Sequence, residues 1–178
     1  MRRVASGDDG AFRMIVERHQ HLVIATITRM IGSAEAEDLA QQVFINVWKS
    51  APRWRPEAKF TTWLLTIAKR LVFNESRRRG RARLIPQSHQ ADEEPVDTAD
   101  GSLGPDKRLL EDELHLAIDE ALSSLPEKER LAVVLRRYEE LPYEEIAVVL
   151  SLSLPAVKSL LFRARNMLRE KLAPYLDR

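Results

Sequence analysis

The 178-residue chain has no cysteine, which excludes disulfide bonds, thiol catalysis and cysteine-based zinc sites. It also lacks an apolar run long enough to span a membrane and a signal-peptide hydrophobic core. We therefore expect a cytoplasmic location and no direct membrane insertion.

Residues that carry catalysis are scarce as well. There is no glycine-rich phosphate loop and no nucleophile elbow. The chain has four histidines, at His19, His21, His89 and His115. None of them is spaced to share a metal ion with a second ligand on the same helix face. The sequence therefore predicts a protein that is not an enzyme, with no metal and no cofactor.

The net charge is small, but the charged residues are segregated along the chain. The net charge is +1, yet residues 69–83 carry a local charge of +6, while residues 92–106 contain six acids and no base. Such segregation permits phosphate binding at chosen places without general adhesion to nucleic acid.

Apolar residues recur at helical spacing outside one central segment, so we predict an all-α fold of two helical domains. Three helices are expected in residues 1–80: one from Asp8 or Asp9 to Gly32, one capped by Ser33 and ended by Pro52, and one from Phe60 to Gly80. Residues 81–105 have the acidic, proline- and glycine-containing composition of a flexible linker. Residues 106–178 are expected to form the second domain.

The second domain is expected to end in two helices joined by a sharp corner. The first runs from Pro142 to about Leu150, Ser151 breaks it, and Ser153 caps a longer helix. Upstream, Ser124 to Glu127 reads as a capping box that opens another helix. One face of the last helix is apolar, and the opposite face carries or adjoins Lys158, Ser159, Phe162, Arg163 and Asn166.

This corner and its cationic helix suit insertion into the major groove of DNA. A helical hairpin with a solvated basic face is the alternative. Phe162 favours DNA, because a ring on the polar face gains nothing from water but packs against a thymine methyl.

A second constellation lies between Trp54 and Arg79, where three aromatic residues precede a helix that ends in consecutive arginines. Rings that stack on bases and guanidinium groups that hold the backbone are what single-stranded DNA binding requires. A base-pair step costs about 1.4 kcal/mol to break, and stacking of one exposed base returns about 1–3 kcal/mol, so such a site supports local melting. The alternative places Phe60 and Trp63 in the core.

Three segments, in order, carry a family resemblance. Residues 37–48 (EDLAQQVFINVW) resemble the helix with which bacterial sigma factors bind core RNA polymerase, and residues 60–69 (FTTWLLTIAK) resemble their promoter-melting segment. Residues 145–147, 156–159 and 163–165 are similar to their −35-reading hairpin. Two domains without a third between them resemble the extracytoplasmic-function (ECF) subgroup of the sigma-70 family.

The resemblance implies a sigma factor that directs promoter-specific initiation, with core RNA polymerase (clamp helices and flap) and promoter DNA as partners, usually under an anti-sigma factor. The implied contacts to the clamp are Asp38, Leu39, Gln41, Phe44, Val47 and Trp48, although Leu39 and Phe44 fit equally well as core residues. The implied contacts to the non-template strand of the −10 element and adjoining duplex are Trp54, Phe60, Thr62, Trp63, Lys69, Arg70, Asn74, Arg77, Arg78 and Arg79. The implied contacts to the −35 duplex are Lys158, Ser159, Phe162, Arg163 and Asn166.

Four positions depart from the family pattern: Gln42 replaces a common Glu, Arg70 a frequent Asn, Ser151 the turn glycine and Leu160 a common Arg. The main rival interpretation is a dimeric duplex-binding regulator with an N-terminal sensing domain, which would bind an operator without polymerase. A small helical enzyme would need a convergent polar site that the sequence does not offer.

Overall fold

The protein is described by a computed structural model over residues 1–82 and 105–176, with side chains at residues 1–81 and 113–175. All regular structure in these ranges is helical, which confirms the predicted all-α class. The helices are α1 (Arg2–Ala5), α2 (Asp9–Ile31), α3 (Ala36–Ser50), a 3-10 turn (Ala51–Arg53), α4 (Phe60–Ala82), α5 (Pro105–Ser123), α6 (Glu127–Arg137), α7 (Tyr143–Leu150) and α8 (Leu154–Leu176). Nearly all of the predicted linker, residues 81–105, lies outside the described residues.

Helix α2 begins and ends as its sequence predicts. Oδ1 of Asp8 accepts a hydrogen bond from the backbone N–H of Ala11 at 2.8 Å, which satisfies one of the free donors of the first turn. Gly32 ends the helix with φ at 88°, a conformation that costs glycine little.

Three other predicted helix ends are wrong. Helix α3 begins at Ala36 after Glu35, and Ser33 contributes only its backbone carbonyl. Helix α4 passes through Gly80, which does not adopt the positive φ that ends a helix. The Oγ of Ser124 donates back to the carbonyl of Ala121 at 2.7 Å, so Pro126, and not Ser124, precedes α6.

Helices α7 and α8 form the predicted sharp corner. Ser151 ends α7 in the left-handed region, with φ 57° and ψ 49°, and Ser153 caps α8 through a 3.4 Å bond from the N–H of Ala156. No single helix in the described residues is long and apolar enough to cross a membrane. Helices α7 and α8 reach the required length and apolar character only when taken together, and the angle between them is 97°. That bend matches a helix-turn-helix.

The two halves of the chain share a continuous apolar core. Helices α2, α3 and α4 pack together, α8 packs on α5, α6 and α7, and the halves meet where α4 contacts α7 and α2 contacts α6. Leu64 and Ile27 of the first half and Ile146 and Leu131 of the second are all buried in this core. The structure is therefore a closed arrangement of the two halves.

Candidate nucleic-acid and protein interfaces

Helix α8 presents a polar outer face above an apolar inner stripe. Val157 and Ala164 are fully buried, and Leu160 and Leu161 are each 6% exposed, so the position where the family has a common Arg belongs to the core here. Lys158, Ser159 and Arg163 are exposed, Asn166 is half-buried, and Phe162 is 62% exposed. The five residues of the predicted −35 face therefore all reach the surface of one helix.

Arg163 is held by a carboxylate from another helix. Its Nη2 and Nε donate to Oε1 of Glu129 on α6 at 2.8 and 3.3 Å. The side chain of Glu129 is 11% exposed, whereas that of Arg163 is 57% exposed. The guanidinium thus has one buried anchor and one open edge.

The aromatic residues after the 3-10 turn pack on one another. The Trp54 ring meets the Trp63 ring edge-on at 6.3 Å between centroids, and the Phe60 ring lies 5.7 Å from that of Trp63. His19 of α2 packs on Phe60, and burial lowers the pKa of this histidine. Within the described residues, the buried Nε1 of Trp54 has no hydrogen-bond partner. All three predicted rings are half-buried.

Two residues assigned to −10 recognition from the sequence contact the C-terminal half. Thr62 is 1% exposed, and its Oγ1 donates to Oε2 of Glu145 on α7 at 2.7 Å. Lys69 donates to Oγ of Ser151 at 3.4 Å, and its burial lowers its pKa. Thr62 is therefore closed to a DNA strand in this arrangement, whereas Lys69 is half-buried.

Glu145 of α7 makes two polar contacts with the N-terminal half. Besides Thr62, it pairs with Nζ of Lys59 at 2.6 Å. Burial opposes ionisation of Glu145, but the bonds from Lys59 and Thr62 outweigh it and hold the pKa of the carboxyl below its ordinary value. The carboxylate is therefore charged at neutral pH.

The predicted basic end of α4 is partly occupied by local contacts. Arg78 forms a two-point pair with Glu75 at 2.8 Å, and Arg77 donates to Oδ1 of Asn74 at 3.0 Å. Arg79 pairs with Glu35 at 2.7 Å and caps α2 by donating to the carbonyl of Ile31 at 2.7 Å. Arg70 is exposed.

A groove of about 710 Å³ lies between α2 and α3, on the face predicted to bind polymerase. Gln41, Phe44 and Trp48 line it from α3, and Phe12 of α2 packs edge-on against Trp48 at 5.0 Å. Asp38 is exposed and Leu39 is half-buried, but Val47 has no exposed surface. In this conformation Val47 therefore cannot contact a partner directly and can only support the residues around it.

The sequence analysis predicted none of the contacts between the halves. Arg130 of α6 donates to the carbonyl of Met30 at 2.8 Å, and the guanidinium of Arg29 lies 4.2 Å above the ring of Tyr138. Thr26 donates to Glu139 at 3.3 Å, and burial raises the pKa of that carboxyl. Each pair joins residues about 100 positions apart, which periodicity within a helix cannot reveal.

The helix-turn-helix with its exposed basic face defines a helical DNA-binding protein. Comparison with known proteins narrows this class further. The family described as Sigma-70 region 2 matches residues 15–82, and Sigma-70, region 4 matches residues 115–168. The chain is 33% identical to the RNA polymerase sigma-H factor of Pseudomonas aeruginosa, over 98% of this chain and 92% of that one. It is 32% identical to the ECF RNA polymerase sigma-E factor of Escherichia coli K12, over 99% of this chain and 94% of that one.

Two solved structures share the fold, and one of them is of a sigma factor. RpoE from Bartonella quintana, in complex with the anti-sigma factor NepR, has a TM-score of 0.70 at 23% identity, covering 92% of this chain and 97% of that one. CnrH, in complex with the cytosolic domain of CnrY, has a TM-score of 0.67 at 24% identity, covering 97% of this chain and 94% of that one.

The chain belongs to the sigma-70 family of RNA polymerase sigma factors, within its ECF subgroup. Its function is promoter-directed initiation of transcription with core RNA polymerase.

Proposed function

We propose that the groove between α2 and α3 is where this sigma factor binds the clamp helices of core polymerase. The groove combines apolar walls at Phe44 and Trp48 with polar residues at Gln41 and Glu37 on its rim. Ile45 also lines it and is 44% exposed, which provides an apolar contact that a partner helix would cover. Leu39, Phe44 and Val47 support this surface from within or from its edge.

The outer face of α8 is proposed to read the −35 duplex from the major groove. The single observation that carries this role is the exposure of Phe162 and Arg163 on a helix whose opposite face is buried from Val157 to Ala164. Lys158 provides charge for a phosphate, while Ser159 and Asn166 offer hydrogen-bonding groups on the same face.

The aromatic cluster of Trp54, Phe60 and Trp63 is proposed to accept unpaired bases of the −10 element, with the basic end of α4 along the backbone. Thr62 would join this site only after α7 moves away, and Lys69 would then also lose its bond to Ser151. The two DNA-contacting units are residues 1–80 and 106–178, joined by the linker 81–105.

An anti-sigma factor is proposed to hold the closed arrangement. This proposal rests on the similarity of the fold to RpoE and CnrH, whose structures were solved in complex with NepR and with the cytosolic domain of CnrY. We further propose that the protein is not an enzyme and acts in the cytoplasm.

In vitro transcription with purified core polymerase and a promoter library tests the proposed function. Ile45→Asp places a charge in the groove without disturbing the core and should reduce polymerase binding at least tenfold, because a buried unpaired charge is costly. Met14→Asp is the matched control, because Met14 is 62% exposed on α2 and does not line the groove.

Equal polymerase binding by the two variants would remove the groove from the interface. Strong operator binding by the wild-type protein alone, with no response to polymerase, would instead favour the duplex-binding regulator.

A further inference from the structure

Glu129 stands out among the acidic residues of the described part of the chain because it is buried against a proposed DNA-reading side chain. Only 8% of the residue is exposed, and it lies in the first turn of α6, where the helix dipole favours a negative charge. Its Oε1 accepts from Nη2 and Nε of Arg163 across the α6–α8 contact.

The two bonds to Glu129 use one edge of the Arg163 guanidinium. An arginine has five N–H donors, of which Nε supplies one and each terminal nitrogen two. Because Glu129 engages Nε and Nη2, both N–H groups of Nη1 and one of Nη2 stay available within the described part of the chain. This outer edge matches the paired O6 and N7 acceptors that guanine presents in the major groove.

We propose that Glu129 is a positioning residue that fixes the guanidinium of Arg163 for two-point recognition of a guanine in the −35 element. The inference rests on the proposed role of α8 in reading that element. An unanchored arginine loses side-chain freedom when it meets a base, whereas the anchored one has its orientation set before DNA arrives. Glu129 therefore contributes to base selectivity without touching DNA.

The test compares Glu129→Gln and Glu129→Met in transcription from promoters that carry each base at each −35 position. Gln keeps an acceptor oxygen for the two N–H groups, so selectivity should be largely kept. Met keeps the volume but removes the acceptor, so discrimination at one position should fall at least fivefold, while other positions keep theirs. Glu120→Met is the matched control, because Glu120 is exposed on α5 and its replacement changes the net charge equally.

Arg163→Ala separates this inference from the function it rests on. We expect Arg163→Ala to relax discrimination by about five- to a hundredfold at the position that Glu129→Met affects. The double variant Glu129→Met, Arg163→Ala should show no further loss. Unchanged discrimination in Arg163→Ala at every position would overturn both the proposed reader and the inference.

A flattened profile in Arg163→Ala with an unchanged profile in Glu129→Met would overturn the inference alone. The readout is the ratio of transcription from different promoters with the same variant. A smaller folded fraction of Glu129→Met lowers every promoter equally and therefore does not change this ratio. A purely structural ion pair would lower the melting temperature and total transcription without moving that ratio.

Discussion

Arg163 and Lys158 on the outer face of α8 differ in side-chain chemistry, and this difference assigns them different roles in DNA recognition. Arg163 presents a planar fork with a set orientation, which suits a base edge, whereas Lys158 carries a compact charge on a flexible stem. Phosphates lie at the same places on every duplex, so contacts to them add affinity without selectivity.

Lys158→Ala should therefore weaken all promoters alike. If the ammonium neutralises one phosphate, the slope of log affinity against log salt should become shallower by about 0.9. Binding of the polymerase holoenzyme to a −35 duplex across a salt series measures this slope. Lys171→Ala, at an exposed position near the far end of α8, is the matched control and should leave the slope unchanged. A loss confined to some −35 sequences would instead make Lys158 a base reader.

At the scale of elements, helix ends decide where the functional faces lie. The last two carbonyls of α2, from Met30 and Ile31, accept bonds from Arg130 and Arg79 at 2.8 and 2.7 Å. Cations at a helix C-terminus are favoured by the dipole, so these arginines stabilise α2 and join it to α4 and α6. Arg79 thus has a structural role that its place in an arginine run does not indicate.

The corner between α7 and α8 contains backbone strain at Ser151. A non-glycine residue in the left-handed region costs about 1–2 kcal/mol, and glycine removes this cost at the expense of greater freedom in the unfolded chain. Ser151→Gly should therefore raise the free energy of unfolding by about 1 kcal/mol, or the melting temperature by about 2–4 °C.

Thermal unfolding followed by circular dichroism checks this prediction. Ser153→Gly is the control two residues away, where the cap to Ala156 is lost and no strain is relieved, so stability should not rise. A lower melting temperature for Ser151→Gly would mean that the bond from Lys69 to the Ser151 hydroxyl outweighs the strain.

At the scale of the whole molecule, the two halves are closed over part of the proposed −10 site. Glu145 makes two contacts between the halves, and these contribute different amounts of free energy. Lys59 is 72% exposed, and an exposed ion pair contributes about 0.2–1 kcal/mol. Thr62 is buried, and a hydrogen bond to a charged group contributes about 1.5–3 kcal/mol. The hydroxyl of Thr62 should therefore matter more than the charge of Lys59.

Thr62→Val should shift the halves towards an open arrangement by at least tenfold, and Lys59→Met by at most about fivefold. Energy transfer between two dyes, one on each half, measures the opening. Because the chain has no cysteine, one cysteine introduced in each half attaches the dyes at those two positions only. An equal or larger effect of Lys59→Met would contradict this ranking.

The same contact has a defined pH range. The pKa of the Glu145 carboxyl is depressed below its ordinary value of 4.5, so its stabilising contribution is complete above that pH. The contribution is lost as pH falls through the lower pKa of the folded protein. Between pH 6 and 8 the Glu145 contact should therefore not change.

The sequence alone determined the helical class, the course of α2 and the two faces of α8. These features follow from spacing of 100° per residue and from local caps such as Asp8 and Gly32, so neighbouring residues suffice to predict them. The exposure of Phe162 and burial of Leu160 belong to this group. The sequence also carried the resemblance to sigma factors that the comparisons then supported.

Only the tertiary structure decided which predicted site residues are accessible. Thr62 is covered by Glu145, Arg163 is anchored by Glu129, and Arg79 caps a helix that ends 48 residues earlier in the chain. Each of these contacts joins residues between 34 and 83 positions apart. Their geometry depends on how whole helices pack, and side-chain spacing within one helix contains no information about a partner on another.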